Sequence, residues 1–257
     1  MRRRSRIRDR CRFADAGTRD QIGHNPGMPI TAKFFGERGR RRAESLGIDP
    51  LRLPPGQSPT TKWPVLDLGR QPDVGLEAWR LRVDGAVTEP LSLGYAELLG
   101  LAQTTWTDTD IHCVTRWSQF GMSFTGVEVH TLLELAGLAA DASHLLVHGY
   151  DGYSTNVPLS DVSDGRGLIV HAAQGGPLTR EHGGPVRLLI PHLYLWKSAK
   201  WLSRLEVLTE DRLGFWEENG YHHRGDPWAE ERYSEPEYLV KLRRRELRGG
   251  APVADPS

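Results

Sequence analysis

The sequence predicts an α+β fold, a mixed and mainly β domain carrying short helices. Three observations lead there. "AWRLRVDG" alternates cleanly, with Trp79, Leu81 and Val83 on one side and Arg80, Arg82 and Asp84 on the other, the pattern of a half-buried strand. "HLLVHGY", "GLIVHAA" and "VRLLIPH" are short apolar runs bounded by Gly, Pro and Asp, which also read as strands. Strands outnumber helices and do not alternate regularly with long helices, which disfavours a doubly wound parallel sheet.

In chain order, residues 1–27 form a basic extension expected to be disordered, since "MRRRSRIRDRCRF" holds seven arginines and no apolar period follows. A paired-arginine export signal would begin similarly, but "ADAGTRDQIGHNPG" is not an apolar h-region. Residues 28–59 mix Gly, Pro and Arg without sustained periodicity and read as an arm wrapped on the domain. The domain itself is expected over 60–215. Within it "LSLGYAELLGLA" gives a short helix capped by Ser92, and "TGVEVHTLLELAG" a second helix stopped by Gly137. "WLSRLEVL" alternates, opposing Leu205 and Val207 to Arg204 and Glu206. Residues 216–257, rich in charge and aromatics, are expected to lie over the surface and then fray.

With 38% hydrophobic and 26% charged residues, 257 residues can bury one good-sized core. Lys plus Arg equals Asp plus Glu at 33 each, so no global field recruits nucleic acid or an anionic membrane. No run approaches the roughly 20 apolar residues that span a bilayer. A small-molecule or protein partner follows. Two cysteines, one of them Cys11 in the basic extension, make no disulfide framework, which implies a reducing compartment and a cytoplasmic chain.

Cys113, in "TDIHCVTRWSQFGMSFTG", is then a free thiol, a ligand or a nucleophile. His112 and Arg116 are near in sequence and would favour a thiolate, but adjacent strand residues point to opposite faces, so His112 need not reach the sulfur. His192, His222 and His223 match no standard zinc spacing. "GGPLTREHGGPVRLLIPHLYLWKSAKWL" combines paired glycines with Arg187, Lys197, Ser198 and Lys200, donors suited to an anion. It fits neither a phosphate loop nor a dinucleotide fingerprint. By composition an anion cradle and a plain Gly-rich hairpin are equally open. For Lys197 and Lys200 to reach one ligand, the backbone there must be a loop, since residues three apart on a strand face opposite sides.

A soft sulfur ligand and a distant anion cradle suit a soft metal carried by a phosphorylated organic group. The chain resembles the sulfite oxidase family of molybdenum enzymes, on its bacterial single-domain branch. The resemblance runs from about Thr60 to Trp216 and rests on the order and separation of "TKWPV", "HCVTRWS", "GYDGYSTNVPL", "PLTREHGGPVRLLIP" and "WKSAKWLSRLEVL". It implies a molybdopterin-binding fold, no haem, and Cys113 as the molybdenum ligand. It also implies that His182 and Arg187 contact the pterin and its phosphate, that Lys197, Ser198, Ala199 and Lys200 close over the same group, and that Thr61, Lys62 and Trp63 occupy the opening motif. Asp151 matches a further cofactor contact. Lys62 and Arg116 are the expected substrate-orienting cations beside Cys113.

The implied activity is two-electron oxygen-atom transfer on a small sulfite- or sulfoxide-like substrate, with a separate electron-transfer partner and a monomeric, soluble chain. Thr60-Thr61-Lys62 stands where true sulfite oxidases have Arg-Asn-His, and Leu213 where they have a tyrosine, which points away from sulfite itself. The competing readings are a metal-free hydrolase or transferase using Cys113 as nucleophile, and a non-catalytic binder of an anionic cofactor.

Overall fold

The computed structural model of the chain describes residues 30–247, so the expectation for the basic extension 1–27 lies outside the described residues. The order is helix α1 (Ile30–Ser45), β1 (Ser58–Pro59), β2 (Arg80–Gly85), β3 (Leu91–Gly94), α2 (Tyr95–Leu99), β4 (Thr104–His112), β5 (Trp117–Glu128), α3 (Val129–Ala136), β6 (His144–Gly149), β7 (Ser154–Pro158), β8 (Leu168–Ala173), β9 (Gly176–Pro177), β10 (Arg187–Leu189), β11 (Leu202–Leu208), α4 (Phe215–Glu218) and α5 (Glu237–Leu247). The expected class holds: strands dominate, and the helices are mostly short.

Two sheets form. One runs β1-β5-β8-β10, with β4 paired to β5 and β9 to β8; the other runs β3-β2-β11-β6-β7. β1 is parallel to β5 and β11 to β2, and all other pairings are antiparallel. The alternation in β2 does what its pattern predicts, since Trp79, Leu81 and Val83 are wholly buried. They pack with Leu145, Val147, Leu205 and Val207 of the same sheet against Val127, Ile169 and Leu188 of the other, closed by Leu132 and Leu133 of α3. At roughly 1.5–3 kcal/mol per fully buried large apolar side chain, this shared core holds the two sheets together.

Four expectations change. Ser92 lies inside β3, and Gly94 is the N-cap of α2, because Arg80 to Val83 pair with Gly94 to Leu91 and extend the strand. The second helix begins only at Val129, since Val127 and Glu128 are held in the β5–β8 ladder opposite Ile169 and Leu168; its stop at Gly137, with φ 65°, is as expected. The arm contains the helix α1, which packs through the fully buried Ala43. The segment after 212 is not confined to the surface: Tyr221, Glu217, Arg232 and Val240 are all at least nine-tenths buried.

Candidate active site

Cys113 sits at the tip joining β4 to β5. The Cys113 amide donates to the Trp117 carbonyl at 2.9 Å and the Arg116 amide to the Cys113 carbonyl at 3.0 Å, which closes a tight turn with Arg116 in the left-handed region at φ 74°. That turn is braced from outside by the Gln57 amide on the Cys113 carbonyl (3.0 Å), the Arg232 guanidinium on the Val114 carbonyl (2.8 Å) and the Ser58 amide on the Arg116 carbonyl (2.9 Å). The sulfur is thus fixed through its backbone.

Cys113 is 6% exposed and its Sγ lies 3.1 Å from the Thr115 hydroxyl. Burial pushes the thiol pKa up; a hydroxyl donating to the thiolate opposes that. His112 does not activate it. Its Nδ1 pairs with Ser118 Oγ at 2.8 Å on the other side of the strand, and burial pulls the ring down to about 4. A Cys113–His112 nucleophilic dyad is therefore absent.

The Gly-rich segment forms the opposite wall. The side chain of Arg187, on β10 and 2% exposed, donates to the carbonyls of His182 (2.9 Å) and Ser198 (2.8 Å). Its guanidinium lies 5.7 Å over the Trp63 ring, which stacks on His182 at 3.9 Å and 8°. Burial lowers Arg187 to about 10. The Lys200 ammonium donates to the Glu181 carbonyl at 2.8 Å and lies 5.0 Å from the Trp201 ring centre. Burial first, and then the Arg187 charge, pull Lys200 down to about 8, while His182 is lowered by the same two causes. Burial raises the Asp151 carboxyl, whose Oδ1 accepts from the Tyr153 amide at 3.1 Å. Gly183, with φ 101°, lets this wall close, since a Cβ there would come within about 3 Å of Lys200.

These two walls face one cavity of about 860 Å³, counted with its open mouth. Trp63, Cys113, Asp151, His182, Arg187, Ser198, Ala199 and Lys200, named from the sequence, all line it. Four others do not. Thr61 and Lys62 lie on an exposed loop pinned by the Thr60 hydroxyl, and Arg116 turns outward to Glu237 at 3.4 Å. Lys197 is also excluded, because its wholly buried ammonium bonds Glu217 (2.7 Å), Asn156 Oδ1 (2.7 Å) and the His223 carbonyl behind the cavity.

Sequence reasoning missed Thr115, Tyr153, Trp216, Tyr221 and Arg244 on the wall. Thr115 was two residues from a named cysteine; Arg244 carried no signal, being one arginine of a run in a segment expected to fray. Trp117 also lines the cavity, and its buried Nε1 has no acceptor among the described residues. Among the described residues no group of three His, Cys, Asp or Glu side chains could hold a metal by itself. A metal beside Cys113 would have to bring its other ligands with it.

The arrangement is a single buried thiol at one end of a cavity and clustered, partly destabilised cations at the other, an environment that a phosphorylated group would relieve. Residues 68–216 match the family described as the oxidoreductase molybdopterin binding domain. The chain is 41% identical to an uncharacterized oxidoreductase, YuiH, of Bacillus subtilis strain 168, over 78% of this chain and 98% of that one. It is 28% identical to a putative protein-methionine-sulfoxide reductase subunit, YedZ1, of Azospira oryzae, over 58% of this chain and 56% of the relative. It is 27% identical to mitochondrial sulfite oxidase of Drosophila melanogaster, over 38% of this chain and only 19% of that protein. Among solved structures, the sulfane dehydrogenase SoxCD from Paracoccus pantotrophus shares the fold at TM-score 0.50 and 22% identity, over 76% of this chain and 56% of that one.

Proposed function

As a member of the oxidoreductase molybdopterin binding domain family, this chain is a molybdenum cofactor-dependent oxidoreductase, and we propose that it performs two-electron oxygen-atom transfer on a small substrate with Cys113 as the protein's ligand to molybdenum. The observation that carries the reading is the opposition, across one cavity, of the Cys113 sulfur to the Arg187 and Lys200 cations.

The residues fit the cofactor. Arg187 and Lys200 would hold its phosphate, with the Ser198–Lys200 backbone closing over it. A bound dianion would stabilise the Lys200 ammonium and raise it back toward its ordinary value, opposing the effect of burial. Trp63 stacked on His182 would offer a flat wall to the pterin, and Trp117 Nε1, on the lining of the same cavity, is a buried donor without an acceptor among the described residues. When bound, the cofactor supplies the two-electron redox change.

The chain's own contribution is position and dryness. The bracing of the 113–117 turn fixes the sulfur, and the Thr115 hydroxyl would donate to the thiolate and draw charge from it. Trp117, Trp216 and Tyr221 limit water at that end, which strengthens every charge interaction inside. Electrons would be exchanged with a separate partner. The soft thiolate, buried and paired to a hydroxyl, suits a metal ligand better than a nucleophile.

Metal and pterin analysis of the purified chain tests this. About one molybdenum and one pterin per chain are expected. Protein without either, from a molybdenum-replete host, would overturn the reading, and bound pterin without redox turnover would instead support a non-catalytic binder.

A further inference from the structure

Three arginines lie near the Cys113 end of the cavity, and two are already engaged. Arg232 donates to the Val114 and Pro55 carbonyls at 2.8 and 3.3 Å, and Arg116 pairs with Glu237. The third, Arg244, lines the cavity and has no hydrogen bond or ion pair among the described residues. Its neighbours on α5 are paired elsewhere, Lys241 with Glu237 at 3.0 Å and Arg243 with Glu235 at 2.9 Å. Helical spacing explains its place. Val240, 2% exposed, packs in one cluster with Cys113, Trp196 and Tyr221, and a residue four positions on lies on the same helix face. Val240 therefore anchors α5 so that Arg244 faces inward. Arg244 also lies 28 residues beyond the matched family region, which ends at 216, so the cation comes from a segment outside that match.

We propose that Arg244 is a specificity-determining residue: it selects substrates bearing an oxyanionic group and orients that group against Trp216 and Tyr221, beside the Cys113 sulfur. The inference rests on the cofactor reading for its chemistry, but the field of Arg244 at the sulfur does not depend on any bound group. A half-buried guanidinium on a cavity wall discriminates an anion from a neutral isostere by charge, because screening is weaker there than in bulk water. The cations named from the sequence, Lys62 and Arg116, are not placed to do this; Arg244 is.

The test uses two alkylating probes of nearly equal size, anionic iodoacetate and neutral iodoacetamide, on Cys113 in the cofactor-free full chain. Both consume the same thiolate, so the ratio of their rates cancels thiol acidity and reports only the charge preference of the approach. Arg244→Gln is expected to lower the iodoacetate-to-iodoacetamide ratio about tenfold, Arg244→Lys to keep it within about threefold, and Arg244→Glu to lower it further. In the loaded enzyme, Arg244→Gln should raise KM for sulfite, used as an oxyanion probe, with little change for dimethyl sulfoxide. An unchanged alkylation ratio in Arg244→Gln, or equal losses on the two substrates, would overturn the proposal. Absence of molybdenum and pterin would count against the cofactor reading alone, since the alkylation ratio is measured without them.

Discussion

The Lys197 ammonium lies 2.7 Å from the Glu217 carboxylate with both side chains wholly out of solvent. This pair is structural: Glu217 Oε1 also accepts from the Trp196 indole and the Thr155 hydroxyl, each at 2.9 Å, so it ties the cavity's aromatic wall to β7. Burial pulls Lys197 down and Glu217 holds it up. Lys197→Met should destabilise the fold by about 3–5 kcal/mol, because it leaves the carboxylate buried and uncompensated. Urea denaturation reads this, and a loss below about 1 kcal/mol would show the pair to be dispensable.

Cys113→Ser should abolish turnover. In wild-type protein, iodoacetamide should modify Cys113 slowly when the cofactor is loaded and faster once it is stripped, as metal coordination occupies the sulfur. Full activity in the serine variant would remove the metal-ligand role.

Thr115 lines the cavity and is the hydrogen-bond partner of the sulfur. Thr115→Val, which keeps shape and removes the hydroxyl, should move the pH midpoint of Cys113 alkylation in the stripped chain upward and slow the reaction about tenfold at fixed pH. Thr115→Ser should restore most of the rate. In the loaded enzyme the more electron-rich sulfur of the valine variant should make the metal centre harder to reduce, read as a more negative midpoint potential.

Lys200 titrates at about 8 in the folded chain, below the roughly 10.4 of a free lysine. Between those values the unfolded chain binds the extra proton, so the cofactor-free protein should gain stability as pH rises through that window. Below about pH 8 the buried ammonium is a cost. Lys200→Met should therefore raise the Tm of the cofactor-free chain at pH 7, an advantage that fades above about pH 10, and should lower molybdenum and pterin retention. A Tm that falls at pH 7 would contradict this assignment of charge.

The legible parts were those with a local cause. Alternation marked β2 and β11 because one face of each meets the core, and Gly137 marked the end of α3 because a left-handed residue follows it. "HCVTRWS" and "HGGPVR" were legible as patterns although 68 residues separate Cys113 from His182, and the fold brings both residues onto one cavity. Side-chain direction was not legible. Lys197 and Lys200 are three residues apart in one loop, yet one turns into a buried ion pair and the other into the cavity, a choice made by Glu217 from another element.

By itself the sequence determined the class of the fold and the family, and it named a thiol and a Gly-rich segment that line one cavity. Local periodicity and residue chemistry are written along the chain. Which cations face Cys113 was decided only by tertiary packing: Arg116 is drawn out to Glu237, Arg232 is spent on backbone carbonyls, and Arg244 is delivered by a helix anchored through Val240. A charge acts through space and through the water it excludes, and neither its distance from the sulfur nor the partner that neutralises it can be counted along the sequence.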